Sequence, residues 1–346
     1  MRPRRHAGLW LPVICAAMLV ATPAPTQVPS AGKPAAPKPP TKPAAKPKAP
    51  QPSANPAPPP VSGAEPDLAY GAYQRGYFLT AFAIATRRAD EHGDPAAMTL
   101  LGELYANGLG IKHDDQKAAE WYQLAANRGD REAMFALALF RLSGRAGARS
   151  RDEAAKLFAA AAKLGHAASA YNLGLLYLEG QQFPQDFGRA AELFRTAART
   201  GNPEAQYALA TLYKEGRGVT KDEREATRLL AAASLADNLD AQVEYAIALF
   251  NGTGVDKNET AAAALFLKAA RRGSPIAMNR LAYILIAGKG LPANKVEAAK
   301  WHLISKAAGA SDPVLDKFVG ELRPEERTSA EQAAKPWIAM AVKPPT

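Results

Sequence analysis

The sequence predicts an all-α protein: a right-handed α/α solenoid of about six helical hairpins of 36 residues, closed by capping helices at both ends. Six glycines and one aspartate stand 36 positions apart, at Gly93, Gly129, Gly165, Gly201, Asp237, Gly273 and Gly309. A second glycine recurs fifteen positions into each period, at Gly108, Gly144, Gly180, Gly216, Gly252 and Gly288. Spacing this regular indicates a copied and stacked unit, and such proteins usually act through a surface.

Each period carries the start and stop signals of two helices. The residue after the opening glycine predicts the N-cap of a first helix of roughly 13 residues, at Asp94, Asp130, His166, Asn202, Asn238 and Ser274. A second cap series predicts a second helix of roughly 14 residues, at Asp114, Ser150, Asp186, Asp222, Asn258 and Asn294. Glu153, Glu225 and Glu297 follow three of these caps at the spacing of a capping box.

Between these signals the apolar residues recur with helical period. In the first helix a large residue is followed by a small one, as in Leu101-Gly102 and Leu173-Gly174. In the second helix an alanine series that begins at Ala118 precedes large residues such as Trp121 by three positions. A small residue lets the paired helices approach closely, whereas a larger one would overpack the contact.

The combined pattern resembles the Sel1-like repeat, a 36-residue relative of the tetratricopeptide repeat, over residues 93–309. The first copy carries it most clearly, at Ala97, Leu101-Gly102, Tyr105, Gly108, Gly110, Asp114, Ala118, Trp121-Tyr122 and Ala125-Ala126. The second copy departs, with Arg141 in the tyrosine position. The third has Gln182 at the position of Gly110, the second of the two glycines in the turn between the paired helices (called the second turn glycine). The form of those two turns is therefore left open.

Residues 1–24 are predicted to be a signal peptide or an N-terminal signal anchor. A basic start is followed by a mostly apolar stretch, residues 9–20, which is too short for an ordinary membrane span. Cleavage after Ala21 is one option, and Cys15 suggests a lipoprotein although Ile14 does not fit a lipobox. Either outcome predicts an exported, bacterial protein of the periplasm or cell envelope, possible membrane attachment being confined to this segment.

The remaining segments have distinct predicted roles. Residues 25–66 are dominated by proline, alanine and lysine and are expected to form a disordered linker, either a spacer or a tolerated leader. Residues 67–92 are expected to form a capping hairpin, residues 93–309 the six repeats, and residues 310–346 closing helices and a tail.

The charge distribution argues against nucleic-acid binding. Of the formal net charge of +10, residues 1–65 contribute +7 and residues 66–346 only +3. Nucleic-acid binding needs basic residues gathered on the folded surface. Arg141, Arg145, Arg149 and Arg151 come nearest to a patch, and a solvated turn is preferred there over an anion site.

Few residues of the chain suggest catalysis. The single cysteine lies in the export segment, and the five histidines form no metal-binding motif. His92, His166 and His302 occupy helix ends or repeat positions and are interpreted as structural. We therefore expect no catalytic residues, no metal and no cofactor.

The surface is the better candidate for function. In the related tetratricopeptide fold the first helix of each pair lines a concave face, which implies partner-binding positions six, ten and thirteen residues after each opening glycine. These are Phe135, Leu139, Leu142, Tyr171, Leu175, Leu178, Tyr207, Thr211, Lys214, Val243, Ile247, Phe250, Asn279, Tyr283 and Ile286. The alternative is that several belong to the core between repeats. An acidic rim, formed by Glu132, Glu179, Glu204, Glu215 and Asp240, favours a protein partner with apolar anchors and basic flanks.

These observations favour an exported protein–protein interaction scaffold of the bacterial cell envelope. The resemblance to Sel1-like repeat proteins leaves two alternative functions open. One is a periplasmic negative regulator of a membrane sensor kinase. The other is a hydrolase acting on cell-wall peptides or β-lactams, for which no nucleophile–base pair is evident in the sequence.

Overall fold

The structure is a computed structural model that describes residues 67–342, and within that range it contains sixteen α-helices and no strand. Helices α1 (Leu68–Gln74) and α2 (Phe78–His92) precede the repeats, and α15 (Pro313–Gly320) and α16 (Pro324–Val342) follow them. Six pairs lie between: α3 (Pro95–Asn107) and α4 (Asp115–Asn127), α5 (Arg131–Ser143) and α6 (Arg151–Lys163), α7 (Ala167–Glu179) and α8 (Phe187–Arg199), α9 (Pro203–Glu215) and α10 (Glu223–Leu235), α11 (Leu239–Asn251) and α12 (Glu259–Arg271), and α13 (Pro275–Ala287) and α14 (Lys295–Ala307). These pairs are called repeats 1 to 6.

The predicted all-α repeat fold is confirmed, with one adjustment of length. All twelve repeat helices have 13 residues, so the second helix is one residue shorter than expected. The predicted signal segment, residues 1–24, and the linker, residues 25–66, lie outside the described residues. Among the described helices, none combines the length and apolarity needed to cross a membrane.

The predicted helix ends are formed as expected. Each first helix starts at its polar cap; the side chain of Asn202, for example, accepts from the backbone N–H of Ala205 at 2.7 Å. Each first helix ends at the second glycine of its period in the left-handed conformation, with φ between 63° and 77°. Asp237, the one exception in the 36-residue glycine series, adopts the same conformation with φ of 61°.

The capping-box prediction is half correct. The side chain of Ser150 accepts from the backbone N–H of Glu153 at 3.3 Å, but Glu153 binds Arg141 at 2.8 Å instead of the cap. The backbone N–H of Ser150 is already used, because it donates to the carbonyl of Arg141 at 2.8 Å. The same bond from the second cap to the first helix recurs in every repeat, so each hairpin is closed by its own backbone.

The two irregular turns keep the length and caps of the others. In repeat 2, Ala146 takes the position of the second turn glycine with φ of 55°. In repeat 3, the Gln182 amide donates to Asp152 at the start of α6, and Arg151 donates to Gln181 at 2.6 Å. Side-chain hydrogen bonds thus replace the glycine contact in the third copy.

The second turn glycine of a regular copy packs against the preceding repeat. A Cβ on Gly218 would collide with the backbone of Phe187 and Gly188 at the start of α8, and one on Gly254 would collide with Glu223 at the start of α10. We call this contact between successive repeats the seam. Only glycine lets the two backbones approach this closely.

The core runs along the repeats as several clusters, which share partly buried side chains such as Leu157, Leu193 and Tyr245, and it is built from small residues facing large ones. A Cβ on Gly174 would lie 2.6 Å from the ring of Phe194, which is fully buried. The equivalent second-helix positions carry Tyr122, Phe158, Phe194, Leu230, Phe266 and His302. This column was missed in the sequence, although its aromatic repetition is visible there.

The flanking helices extend the packing at both ends. At the N-terminal end, the Tyr73 hydroxyl of α1 donates to Glu103 at 2.6 Å. At the C-terminal end, α16 packs on α14, where the rings of Trp301 and Trp337 are 5.3 Å apart. His302 is fully buried and donates through Nε2 to Asp316 of α15 at 2.9 Å.

Candidate partner-binding face

The fifteen predicted positions lie on the first helices α5, α7, α9, α11 and α13, and we call them together the A-helix face. Thirteen are half-buried, Val243 is 4% exposed, and Lys214 is exposed. On the same helices, the positions three and fourteen residues after the opening glycine are mostly more exposed. The predicted positions thus lie between the core and the open surface.

In repeat 2, part of the face is engaged in packing. The ring of Phe135 lies 5.9 Å from Phe158 of its own repeat and 4.7 Å from His166 of the next. Leu139 and Leu142 pack partly against the same core. The alternative that some positions belong to the core between repeats applies to Phe135.

In repeats 3 and 4, two half-buried tyrosines lie beside carboxylates of the following repeat. The pKa of Tyr171 is raised, first by burial and then by the charge of Glu204. Burial and the charges of Asp240 and Glu244 raise the pKa of Tyr207 to about 12. Each tyrosine is therefore within electrostatic range of a carboxylate of the following repeat.

In repeat 5 the three positions of the face are apolar, and they differ in how far they are buried. Ile247 and Phe250 are half-buried and pack partly against the core that Val243 enters completely. The Lys257 ammonium lies 6.0 Å from the centre of the Phe250 ring, at the edge of cation–π range. Val243 has no free surface to offer a partner.

In repeat 6 the face closes against the loop that follows α14. Asp312 accepts from the Asn279 amide at 3.0 Å and from the Tyr283 hydroxyl at 2.9 Å. These bonds, the Asn279 bond first, hold the pKa of Asp312 below its ordinary value. A cavity of ≈ 380 Å³ lies here, lined also by Ile276 and Arg280. Asp312 was missed as a site residue, although it stands three residues after Gly309, as Glu204 and Asp240 stand after theirs.

The predicted acidic rim is only partly available to a partner. Glu132 accepts from His166 Nε2 at 3.0 Å, which lowers the pKa of the Glu132 carboxyl. Glu179 binds Arg151 at 3.0 Å and Glu215 binds Arg217 at 3.1 Å. Within residues 67–342, no cation lies at ion-pair distance from Glu204 or Asp240, the two remaining members.

The four arginines around the turn of repeat 2 form no free patch. Arg141 binds Glu153 at 2.8 Å and Arg151 binds Glu179. Arg145 binds Asp115 and also donates to the carbonyl of Ala106 at 2.8 Å, so it ties repeat 2 to repeat 1. Three of the four guanidinium groups are therefore committed to structure.

Two of the three histidines discussed above have evident structural contacts. His166 is the N-cap of α7, where its Nδ1 accepts from the backbone N–H of Ser169 at 3.1 Å. His302 takes a core position and binds Asp316, as described above. In the part of the chain that the structure describes, no three His, Asp or Glu side chains gather closely enough to hold a metal ion.

A cavity outside the A-helix face was also missed in the sequence. It has a volume of ≈ 390 Å³ between α8, α9 and α10 and is lined by Arg195, Arg199 and Arg228 among others. Arg228 is held by two hydrogen bonds to Glu225, at 2.6 and 2.7 Å. No sequence motif distinguishes these arginines from solvated surface residues.

The six helix pairs of equal length define an α-helical repeat protein. The Sel1 repeat model matches six consecutive spans, residues 95–130, 131–166, 167–202, 203–238, 239–274 and 275–309. These spans cover more than half of the chain, so the protein belongs to the Sel1 repeat family.

Two solved structures resemble this one. A Sel1 repeat protein from Oxalobacter formigenes matches with a TM-score of 0.62 and 26% identity, over 69% of this chain and 98% of that chain. The c5321 protein, a protective antigen of uropathogenic Escherichia coli strains with an SLR fold, matches with a TM-score of 0.54 and 23% identity, over 78% of this chain and 68% of that chain. The resemblance to the c5321 protein shows a shared fold and no more. No curated protein matches the chain.

Proposed function

We propose that this Sel1 repeat protein is an exported, non-catalytic scaffold of the cell envelope, which binds a segment of a partner protein along the A-helix face. The observation that supports the proposal most directly is the row of half-buried apolar side chains there. Leu175, Leu178, Ile247, Phe250 and Ile286 are only partly covered by the core, although they stand in three different repeats. Contact with a partner would remove their remaining apolar surface from water.

The proposed location rests on the sequence of residues 1–24. Their basic start and short apolar stretch are typical of export signals. Cell fractionation of the native host tests it: the protein should appear in the periplasmic fraction, or in the membrane fraction if the signal is retained. Recovery with cytoplasmic markers would contradict export.

The binding face is tested by site-specific photocrosslinking in the native host. A photoreactive residue at Leu178 or Ile247 should capture the same partner, because both lie on the A-helix face two repeats apart. The matched control site is Leu235, an 88% exposed leucine at the end of α10. Equal capture from Leu235 would argue against the face.

Substitutions provide an independent test. Leu178→Glu and Ile247→Glu should abolish capture, since each places a charge on the apolar row, whereas Leu235→Glu should leave capture unchanged. Circular dichroism and thermal unfolding establish that each variant remains folded. Retained capture by folded Leu178→Glu and Ile247→Glu would contradict the proposed face.

A further inference from the structure

The cavity between repeats 3 and 4 carries an excess of positive charge. It has a volume of ≈ 390 Å³ between α8 of repeat 3 and α9 and α10 of repeat 4. Its walls include three guanidinium groups, from Arg195, Arg199 and Arg228, and one carboxylate, from Glu225. Two hydrogen bonds, at 2.6 and 2.7 Å, pair Arg228 with Glu225, so the charges of Arg195 and Arg199 are left over.

Neither Arg195 nor Arg199 is neutralised by the protein. Within residues 67–342, no carboxylate lies at ion-pair distance from either guanidinium group. Arg195 is half-buried and donates to the Tyr213 hydroxyl of α9 at 3.3 Å, a contact that orients the guanidinium group but leaves its charge. Arg199 follows four residues later on α8, and like charges at this spacing on a helix repel each other. An anion in the cavity would remove this repulsion.

Among the five seams of the six repeats, three arginines come together at this one alone. The structure shows which positions of the period line the cavity, and the same positions can then be compared at the other seams. In chain order, the residues equivalent to Arg195, Arg199 and Arg228 are Gln123, Asn127 and Lys156; Ala159, Lys163 and Glu192; Ala231, Leu235 and Ala264; and Leu267, Arg271 and Lys300. The same hairpins therefore stack at four seams without such a cluster, and stacking does not explain it.

The wall that α9 contributes is also polar where other repeats are apolar. Gln206 lines the cavity and donates through Nε2 to the carbonyl of Ala198 at 3.3 Å. Its Oε1 is buried and has no hydrogen-bond partner among the described residues. Three other repeats have methionine at this position, Met98, Met134 and Met278. An unpaired buried acceptor lowers stability, so packing alone would favour methionine, whereas a polar wall reduces the cost of holding an ion.

This arrangement suits a phosphate monoester better than a single carboxylate. Arginine binds both groups through paired hydrogen bonds, but a carboxylate has only two oxygens, in one plane, and one charge. A phosphate monoester near neutral pH carries almost two negative charges on three acceptor oxygens, so one group can contact both guanidinium groups of α8. The cavity volume falls within the range of ligand pockets, about 300–1,000 Å³, which leaves room for the organic part of the ester.

We propose that this cavity binds a phosphate monoester, which Arg195 and Arg199 hold while Arg228 neutralises Glu225. None of these residues belongs to the A-helix face, so the proposal does not rest on the scaffold function. A ligand held by α8 and enclosed by α9 and α10 would also stabilise the seam between repeats 3 and 4. Soluble phosphate esters and lipid headgroups share this chemical group, and the test distinguishes the two sources.

The test for a soluble ester is isothermal titration calorimetry with the full chain at low ionic strength. The probe is glycerol 3-phosphate, and the control is succinate, a dicarboxylate of similar charge. We expect the probe to bind roughly tenfold more tightly than succinate, as the loss of a charged hydrogen bond would cost. Equal binding of the two compounds overturns the assignment to a phosphate group.

Substitutions show where the probe binds. Arg195→Gln and Arg199→Gln should each weaken binding roughly tenfold, while Arg271→Gln, at the exposed position equivalent to Arg199 two repeats later, should leave it unchanged. Glu225→Gln should tighten binding, because it removes the negative charge from the wall and frees Arg228. A merely structural role of these residues predicts no gain. Unchanged binding by the double variant Arg195→Gln/Arg199→Gln, or weaker binding by Glu225→Gln, overturns the proposed site.

Sedimentation with vesicles distinguishes a lipid source from a soluble one. Phosphatidylcholine vesicles with and without phosphatidic acid, whose headgroup is a phosphate monoester, are mixed with the wild type and with Arg195→Gln/Arg199→Gln. Residues 1–65, with their net charge of +7, would attract anionic vesicles by themselves, but both proteins carry them equally. A lipid ligand gives binding that the variant loses, and a soluble ligand gives binding of glycerol 3-phosphate with equal vesicle binding by both proteins. If glycerol 3-phosphate does not bind up to millimolar concentration and both proteins bind vesicles equally, the proposal is overturned.

Discussion

Gly102 of α3 and Tyr122 of α4 are in such close contact that a Cβ on residue 102 would lie 2.6 Å from two carbons of the tyrosine ring. Gly174 and Phe194 form the same contact two repeats later. Repeat 2 has alanine at the equivalent position, Ala138, and it is fully buried. The distance between paired helices is therefore set in each repeat by one small residue.

Gly102→Ala should destabilise the protein. Overpacking costs about 1–3 kcal/mol, which exceeds the roughly 1 kcal/mol that alanine contributes to a helix interior relative to glycine. Gly71→Ala is the matched control, since Gly71 is also helical but has only the end of Arg75 nearby, at 3.7 Å. Equilibrium urea unfolding should show a loss for Gly102→Ala and a gain for Gly71→Ala. A gain for both would mean that the ring of Tyr122 moves aside without cost.

The seam glycines allow a second matched comparison. Gly216 and Gly218 have nearly the same φ, 68° and 70°, but only Gly218 faces the backbone of the preceding repeat. Gly216→Ala should cost about 1–2 kcal/mol, chiefly for the left-handed conformation, since its Cβ would meet only Lys221, whose side chain is nearest, at 3.3 Å. Gly218→Ala should cost clearly more and should raise amide hydrogen exchange at the start of α8. Equal losses for both variants would show that the seam tolerates a methyl group.

Ala146 provides a substitution that should stabilise the protein. It is left-handed with φ of 55°, a conformation that costs an L-residue about 1–2 kcal/mol and glycine almost nothing. Part of the gain is offset by the greater chain entropy of unfolded glycine, so Ala146→Gly should raise the free energy of unfolding by less than about 1 kcal/mol. Asp237→Gly, at a similar φ of 61°, should show no gain, since Asp237 binds Lys268 at 3.0 Å. A loss for Ala146→Gly would show that its methyl packing outweighs the strain.

Asp312 predicts a pH dependence at the C-terminal end. Its pKa is lower in the folded protein, chiefly through the Asn279 bond, so its contribution is present above the unfolded pKa, about 3.9, and is lost as pH falls through the folded value. The stability difference between the wild type and Asp312→Asn should therefore be largest near neutral pH and shrink below about pH 4. Urea unfolding at several pH values measures it, with the exposed Asp256→Asn as control. A difference that grows on acidification would contradict the assignment.

Most of the fold follows from local rules that a sequence displays. The caps, the left-handed glycines and the small-to-large pairs act within one period, so their repetition makes them recognisable. The capping-box glutamates did not behave as expected, because the Ser150 N–H is used by a carbonyl of the preceding helix, a contact of the folded hairpin. The length of the second helices was likewise one residue less than predicted, because it is limited by the folded hairpin and not by the cap alone.

The candidate face was less accessible to sequence reasoning. Periodicity identifies positions that share a side of a helix, but it does not give their depth. Val243 is buried while Lys214 is exposed, although both were assigned to the same face. The link between Asp312 and Tyr283 joins the last repeat to a closing helix that does not follow the period, so only the tertiary structure reveals it.

Two kinds of bonding alternate along the chain, with a mechanical consequence. Within a hairpin, the second cap is fastened to the first helix by a directional backbone hydrogen bond, as from Asp222 to Tyr213 at 3.0 Å. Between repeats, glycine backbones such as that of Gly254 are in van der Waals contact with the start of the second helix of the preceding repeat, and side chains add to this contact. Under a force applied to its two ends, the stack should therefore deform first at the seams. It should lengthen by movement of whole hairpins relative to one another before any single hairpin opens.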